Sequence, residues 1–435
     1  MKKKTNLTTR RDFVKTSVGL VAAVPFTGSF LSSVVPVSSS ENIVSMLPVE
    51  DTKSIIGHYG SWAAGLRADP PALSLRANRN KKLATWRNEA RVKTLELVAK
   101  PSMGTVPKVT VEKKYTYDGL DIEELSWQLP YGRPTKAILL KPQGMNKKLP
   151  AILGLHDHGG NKFFGKDKIT RIADAQHPLM QAHQAEYYEG GAWANEIAKR
   201  GYVVLVADTF TFGSRRVHYE DVAGITWGTL KDSTRRDADI DTAEEIAAYN
   251  AWASDHEHVM SKSLFCAGTT WPGVTLAEDQ MALTILSQRP EVDPERLGCM
   301  GLSGGGLRTV YLGGLDERIK CAVPVGFMTT WNDFLLHKAY THTWMIYTPL
   351  LPNYLEFPEI MGLRVPLPTL VLNNNQDQLY TLPEMQRSDE ILREVYQIAG
   401  ASDAYQAKFY DGEHKFDAAM QADAFAWFDR WLGVS

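Results

Sequence analysis

Residues 297–307, LGCMGLSGGGL, join a short apolar run to a helical pattern through a turn of glycines around one serine. The run from Leu297 to Leu302 has the length and apolar composition of a buried strand. The helical pattern that follows, from Gly305 to Leu315, begins almost without a connecting loop. A buried strand that leads at once into a helix is typical of a mostly parallel sheet with helices between its strands.

The same alternation of apolar runs and helical patterns continues on both sides of this stretch. The other apolar runs are 151–155, 202–207, 321–325, 369–372 and 407–410, and the other helical patterns are 191–200, 275–288, 385–398 and 418–432. The β-rich segments 109–117, 122–129 and 136–141 precede them and are joined by turn signals, which indicates antiparallel strands. We therefore predict one α/β domain with a mostly parallel, doubly wound sheet that starts with antiparallel strands.

This α/β domain is predicted to span residues 108–435. The stretch 327–366 within it is rich in aromatic residues and is predicted as a small cap insertion. Residues 41–107 are polar and follow a helical period, so we expect a helical N-terminal extension that packs over the main domain.

Residues 1–40 have the features of an export signal. Arg10 and Arg11 are followed by Phe13 and Lys15, and then by a weakly apolar stretch to about Val37. Paired arginines before such a stretch are typical of a twin-arginine signal peptide. An uncleaved membrane anchor is the alternative, but the stretch is too polar for a good span. The signal predicts recognition by the twin-arginine export machinery, a periplasmic or secreted protein, and no stable membrane span in the mature form.

Composition excludes several classes of function. The chain has 435 residues, of which 44% are hydrophobic and 23% charged, so it can bury a large core and is neither disordered nor a multi-span membrane protein. Lys and Arg number 48 against 50 Asp and Glu. That balance leaves no basic surplus for a phosphate backbone, and nucleic acid is not an expected partner.

Three residues that follow predicted strands form a candidate catalytic set. Ser303 stands in the Gly-x-Ser-x-Gly turn, Asp377 follows the run 369–372, and His414 follows the run 407–410. Each alone would more often be an ordinary turn or surface residue. Together, in the order serine, acid, histidine, they predict a nucleophile, its general base and the carboxylate that orients the base.

The run 151–155 ends in His156-Asp157-His158-Gly159-Gly160. Gly159 and Gly160 lack side chains and allow backbone amides to face the site, where they would bind an oxyanion together with the amide of Gly304. The sequence leaves open which residue of the loop donates. A metal site on His156 and His158 is the alternative, but no matching downstream set of ligands is evident, and no metal is predicted.

These motifs resemble the α/β-hydrolases, close to the acetyl xylan esterase and dienelactone hydrolase-like branch. The resemblance spans about 109–431 and includes Asp208 with Gly213, the motif 269–273 and the segment 289–296. It implies hydrolysis of carboxylic esters, often acetyl groups on plant polysaccharides, through an acyl-enzyme and without a cofactor. Glucuronoyl esterases carry Arg where Gly304 stands, and dienelactone hydrolases carry Cys where Ser303 stands. Both differences favour ordinary ester hydrolysis.

His158, Trp271, Trp331 and Trp344 are the candidates for the wall of a substrate pocket, because aromatic surfaces suit a sugar or an aromatic acyl group. Packing of the cap onto the sheet explains the aromatic residues equally well.

The substrate is an oligosaccharide ester or another small molecule, and feruloyl, uronate methyl and xenobiotic esters stay open as alternatives. A serine peptidase of the prolyl-oligopeptidase type would need a large propeller domain, for which the N-terminal residues are too few and too helical. A non-catalytic carbohydrate-binding relative would have little reason to keep Ser303, Asp377 and His414 in register.

Overall fold

Nine strands form one sheet in the computed structural model, which describes residues 53–225 and 236–433. In chain order they are β1 (Thr110–Tyr117), β2 (Leu120–Trp127), β3 (Thr135–Pro142), β4 (Leu149–Gly154), β5 (Val203–Ala207), β6 (Val292–Leu302), β7 (Ile319–Val325), β8 (Thr369–Asn374) and β9 (Tyr405–Tyr410). The predicted signal at residues 1–40 lies outside the described residues.

The order of strands across the sheet is β1-β2-β3-β5-β4-β6-β7-β8-β9. The pairs β1–β2, β2–β3 and β3–β5 are antiparallel. The pairs β5–β4, β4–β6, β6–β7, β7–β8 and β8–β9 are parallel. The predicted fold, an α/β-hydrolase sheet with antiparallel strands at its start, is confirmed. Because the chain leaves β4 toward β5 on one side and later adds β6 on the other, a crevice opens beyond the carboxyl ends of β4 and β6.

Both faces of the sheet are buried at its central strands, such as β4, β5 and β8, as the continuous apolar runs require, whereas β1 is largely exposed. Successive side chains of a strand point to opposite faces. In β4, Ala151 and Leu153 join one hydrophobic cluster, whereas Ile152 joins the other. Complete burial of one such aliphatic side chain contributes about 1.5–3 kcal/mol to the stability of the fold.

Helices cover both faces. They are α1 (Tyr59–Ala64), α2 (Leu83–Val98), α3 (Pro178–Tyr188), α4 (Trp193–Lys199), α5 (Ala243–Cys266), α6 (Trp271–Ser287), α7 (Gly304–Leu315), α8 (Trp331–Asp333), α9 (Phe357–Gly362), α10 (Leu382–Ile398) and α11 (Ala418–Leu432). Apolar residues of α2, α6, α7 and α10 belong to one cluster, and those of α4 and α11 belong to the other. In the described ranges, no helix combines the length and the apolar character needed to cross a membrane.

The N-terminal helices belong to the same compact unit as the sheet, which extends from Asp51 to Ser435. The last turn of α2 meets the start of α6, where Thr270 Oγ1 donates to the Val98 carbonyl at 2.7 Å. A Cβ at Gly273 would lie 2.1 Å from the same oxygen. The motif 269–273 is therefore a contact between two helices, and this contact requires a glycine.

Helix α5 was not expected from the polar stretch that contains His256 and His258. Its buried side includes Ile246, Tyr249, Ala253 and Glu257, which recur every three or four residues. His256 on this helix is buried as well. Because this buried face includes acidic and histidine residues, the spacing of apolar residues alone did not predict a helix here.

The stretch 327–366 contains α8, α9 and several short turns. Its aromatic rings pack on one another: Phe334 lies 5.6 Å from Phe357 and 5.9 Å from Trp331, measured between ring centroids. These rings belong to the core cluster on one face of the sheet.

Candidate active site

Ser303 occupies the sharp turn between β6 and α7. Its backbone has φ +57° and ψ −120°, a conformation that is strained for any residue except glycine. The Ser303 N–H donates to the Val325 carbonyl at 2.9 Å, which ties the turn to β7. The serine side chain is half-buried and lines a cavity beyond the carboxyl ends of the strands.

The glycines two residues on either side of Ser303 have a steric reason. A Cβ at Gly301 would lie 2.2 Å from the Leu155 carbonyl oxygen, and a Cβ at Gly305 would lie 2.0 Å from that oxygen. Both distances are far below van der Waals contact. The turn that presents Ser303 can therefore lie this close to the end of β4 only with glycine at both positions.

Asp377 and His414 follow β8 and β9 and meet at the same edge of the sheet. His414 Nδ1 lies 2.6 Å from Asp377 Oδ2, and the buried Asp377 accepts a second bond at Oδ1 from the Leu379 N–H at 2.9 Å. A carboxylate in this position fixes the proton on Nδ1 and leaves Nε2 as the basic nitrogen. The ring lies against Gly326, where a Cβ would be 2.9 Å from Cε1.

The structure thus places the three residues of the predicted triad around one cavity of about 610 Å³. His414 Nε2 is buried and has no hydrogen-bond partner among the described residues, Ser303 Oγ included. The bond between nucleophile and base is often long in an enzyme without substrate. An unpaired nitrogen on a histidine that lines the same cavity as the serine is available to take up a proton when a substrate arrives.

The loop 156–160 forms the wall beside Ser303. His158 N lies close to Gly304, since a Cβ on that glycine would be 3.0 Å away. The Gly160 N–H, a predicted oxyanion donor, donates instead to His158 Nδ1 at 3.1 Å and is not free. The N–H groups of His158 and Gly159 have no acceptor among the described residues. The free amide beside Gly304 is that of His158, the first residue of the His-Gly-Gly loop, for which the sequence left the donor open.

His158 also lines the cavity, as predicted, but its ring is fully engaged. Because Nδ1 accepts from Gly160, Nε2 carries the proton and donates to Glu257 Oε1 at 2.7 Å. Glu257 also pairs with the buried Lys162 at 2.7 Å. Burial and the Lys162 ammonium lower the pKa of His158 and keep the ring neutral. Burial acts to raise the pKa of Glu257, but Lys162 and His158 together lower it to about 2.

The three tryptophans predicted to line the pocket do not line this cavity. Trp271 begins α6 and is buried against Phe210, with ring centroids 5.3 Å apart. Trp331 is buried in the aromatic core, where its Nε1 donates to the Leu355 carbonyl at 2.9 Å. Trp344 lies at the surface with 36% of its area exposed.

His342, which the sequence did not single out, lines the cavity beside Thr341, Thr343 and Met345. Its Nε2 donates to the Leu379 carbonyl at 2.9 Å, which leaves Nδ1 as an acceptor. Burial lowers the pKa of His342 to about 4, so the ring is neutral at ordinary pH. No local sequence signal marks this histidine, because its role depends on how the stretch 327–366 folds back over the sheet.

His156 and His158 do not converge on a common point. His156 Nδ1 lies 3.1 Å from the Asp157 carbonyl oxygen, and His158 bonds to Glu257. Within residues 53–225 and 236–433, no group of three or more His, Cys, Asp or Glu side chains is arranged to hold a metal ion.

Comparison with known proteins gives matches of three kinds. The family model of the prolyl oligopeptidase family matches residues 260–434. A putative hydrolase of Bacillus subtilis, YtaP, is 25% identical over 314 residues, which are 72% of this chain and 88% of the relative.

Among solved structures, a putative acetyl xylan esterase from Bacteroides fragilis superposes with a TM-score of 0.59 at 20% identity, covering 81% of this chain and 82% of that one. A glucuronoyl esterase from Solibacter usitatus superposes with a TM-score of 0.53 at 12% identity, covering 79% and 92%. At these identities the structural matches establish the fold. Together with the nine-stranded sheet and the serine turn after β6, the match to part of the prolyl oligopeptidase family model and the Bacillus subtilis relative show a hydrolase of the serine type with the α/β-hydrolase fold.

Proposed function

We propose that this protein is an exported serine esterase that removes acetyl groups from plant polysaccharides or oligosaccharides. One observation carries the proposal: Ser303, in its strained turn, shares a cavity with the hydrogen-bonded pair His414 and Asp377. The twin-arginine pattern of residues 1–40 supports export, and the putative acetyl xylan esterase from Bacteroides fragilis shares the fold.

The proposed reaction proceeds through an acyl-enzyme. His414 Nε2 takes the hydroxyl proton as Ser303 Oγ attacks the ester carbonyl, and Asp377 stabilises the resulting imidazolium. The carbonyl oxygen becomes an anion and accepts hydrogen bonds from the free amides of Gly304 and His158. His414 then protonates the leaving alcohol. Water repeats the sequence on the acyl-enzyme and releases the acid.

The lining of the cavity suits a small acyl group. Leu302, Phe327, Met345 and Ile346 give part of it an apolar wall. His342 Nδ1, on the same side, is a neutral acceptor for a hydroxyl group. An apolar wall for a methyl group beside a hydroxyl acceptor is what an acetylated sugar requires.

The alcohol side has room for more than one sugar. A groove of about 440 Å³ between α3 and α5 shares Gly159, Gly160, Glu186 and Tyr187 with the cavity, so the two form one cleft. A small ester would leave most of this cleft empty, whereas an oligosaccharide would occupy it.

The charge at the mouth of the cavity disfavours an anionic substrate. Glu186 and Glu413 line the cavity, are exposed, and form no ion pair with another described residue. The lysine beside them, Lys415, is 2.8 Å from Asp417 and largely neutralised. Two carboxylates without a cationic partner among the described residues repel an anionic substrate, and Gly304 supplies no cation next to the nucleophile.

The test uses the purified protein and its Ser303→Ala variant with p-nitrophenyl acetate, butyrate and octanoate, and with acetylated xylan. We expect acetate release from xylan, a preference for the acetate ester, and loss of both activities in the variant. A variant that keeps a tenth of the activity would exclude Ser303 as the nucleophile. Cleavage of synthetic esters alone would exclude the proposed polysaccharide.

A serine peptidase is the second candidate, because the prolyl oligopeptidase family model matches residues 260–434. Such peptidases need a propeller domain, whereas the described part of this chain before β1 contains two helices. Hydrolysis of prolyl p-nitroanilides, measured beside the esters, distinguishes the two functions.

A further inference from the structure

Lys168 is fully buried, with 0% of its area exposed, and its Nζ serves the loop 156–160. Nζ donates to the carbonyl oxygens of Asp157 and His158, each at 2.8 Å, and lies 3.8 Å from Asp157 Oδ2. Two of the three N–H donors of the ammonium group thus bind carbonyl oxygens of this loop, whereas Asp157 Oδ2 is an ion-pair partner beyond hydrogen-bond distance. A buried cation whose two hydrogen bonds both go to one loop is costly to maintain unless the position of that loop matters.

The two carbonyl groups that Lys168 holds determine where two N–H groups point. In a trans peptide the C=O and N–H point in opposite directions. The Asp157 carbonyl shares its peptide with the His158 N–H, and the His158 carbonyl shares its peptide with the Gly159 N–H. Neither peptide is among the cis bonds of the chain. Both N–H groups therefore point away from Lys168, and neither has an acceptor among the described residues.

The His158 N–H points to the catalytic side of the loop. Its nitrogen would lie 3.0 Å from a Cβ on Gly304, the residue after Ser303. The Gly304 N–H belongs to the first turn of α7, where amides lack intrahelical partners. Free amides from the loop 156–160 and from α7 thus meet beside the serine, which is the arrangement that binds an oxyanion.

The charge of Lys168 acts in the same direction as its geometry. An ammonium on the carbonyl side of a peptide polarises that group and makes its N–H a better donor. Burial lowers the pKa of Lys168 to about 8, while Asp157 opposes this shift, so the side chain is charged at neutral pH.

We propose that Lys168 is a positioning residue for the reaction, which holds the peptides of Asp157 and His158 so that the His158 N–H faces the developing oxyanion. This rests on the proposed esterase function. Lys168 contacts neither substrate nor Ser303. Its effect reaches the transition state through the backbone and is small in the ground state, because a neutral ester carbonyl binds such donors more weakly than an oxyanion does.

The test replaces the ammonium with a side chain of similar length in Lys168→Met. For p-nitrophenyl acetate we expect kcat to fall about 100-fold, the size of effect known for loss of an oxyanion donor, while KM changes less than threefold. The second readout is the affinity for phenylboronic acid. Ser303 Oγ adds to the boron as its proton passes to His414, and no group leaves, so the tetrahedral anion tests the oxyanion donors directly. Its affinity should fall in parallel with kcat.

Lys166→Met is the matched control. Lys166 belongs to the same short helix, Lys166–Lys168, but its Nζ pairs with Asp167 at 3.1 Å and with the buried Asp208 at 3.7 Å, and it forms no bond with the loop 156–160. This variant should keep wild-type kcat and boronate affinity. Equal losses in both variants would mean that the short helix has only a structural role, and the proposal would be wrong.

Lys168→Gln decides the matter if Lys168→Met does not fold, because glutamine keeps an N–H donor in the buried site. Circular dichroism and thermal unfolding establish which variants are folded. A folded variant with kcat and boronate affinity within threefold of wild type would overturn the proposal. Failure of the esterase function itself looks different, since the wild-type protein would then neither hydrolyse the ester nor bind the boronate.

Discussion

The two sides of the cavity are built in different ways. On the strand side, Ser303, Asp377 and His414 each follow a strand by a few residues. They therefore lie together at the carboxyl ends of the strands. On the opposite side, His158 depends on Glu257, which is 99 residues away in the chain, and the loop 156–160 depends on Lys168. The strand side carries groups for bond cleavage, whereas the loop side consists of buried charges that hold backbone in place. Substitutions on the two sides should therefore fail differently.

The largest effect is expected for Asp377→Asn on the strand side. The neutral amide does not hold the proton on His414 Nδ1 as the carboxylate does. His414 therefore loses the tautomer in which Nε2 is free to act as the base. We expect kcat to fall about 10³- to 10⁴-fold with little change in the free energy of unfolding. Steady-state kinetics and urea unfolding measure both. A loss of less than tenfold would show that another acid orients His414.

Glu257→Gln on the loop side should mainly reduce stability. It leaves the Lys162 ammonium buried without its carboxylate, which costs about 3 kcal/mol, and it weakens the bond that fixes His158. Urea unfolding measures this loss. Glu244→Gln, an exposed position on the same helix α5, is the control and should change stability by less than about 0.5 kcal/mol. Equal stability of the two variants would contradict the role of this buried cluster.

Ala182→Trp should impair binding of substrate in the groove without affecting the cavity that contains Ser303. Ala182 is exposed on α3 and lines the groove that extends the cavity. A bulky ring there should raise KM for acetylated xylo-oligosaccharides about tenfold, equivalent to about 1.4 kcal/mol, and leave p-nitrophenyl acetate unaffected. Ala185→Trp, exposed on the same helix but outside the groove, should affect neither substrate. If Ala182→Trp slowed both substrates equally, the groove would not be a separate binding region.

The last prediction concerns stability in acid. The pKa of His342 is about 4 in the folded protein and 6.5 in the reference state. The unfolded chain therefore binds more protons between these pH values, and the free energy of unfolding decreases as the pH falls from about 6.5 to 4. His342→Gln should make this decrease shallower by at most about 3 kcal/mol, measured by urea unfolding at several pH values. An unchanged slope would mean that His342 does not titrate with unfolding.

The comparison also explains what could be predicted from the sequence. All nine strands coincide with segments expected to be β, because their apolar runs are local and separated by clear turns. Ser303, Asp377 and His414 were found for the same reason, since each lies just after such a run.

The loop side carried no comparable signal. Trp271 looks like a residue near the pocket, but its direction depends on the start of α6, which buries it. Gly160 looks like a free donor, but its amide is used by the ring of His158 two residues earlier. Lys168 and Glu257 act through contacts between segments that only the folded chain brings together, and no period or spacing marks them.

The crowding of the serine turn has a consequence for mutational scans of this protein. Side chains at Gly301 and Gly305 would both collide with the same Leu155 oxygen. These positions should tolerate substitution as poorly as Ser303 does, although neither has a chemical role. Because a single outward shift of residue 155 would relieve the collision of both side chains with this oxygen, the double alanine variant should lose less stability than the two single variants combined. Intolerance of substitution without a chemical role, together with this positive epistasis, would distinguish the glycines that support the turn from the serine that they present.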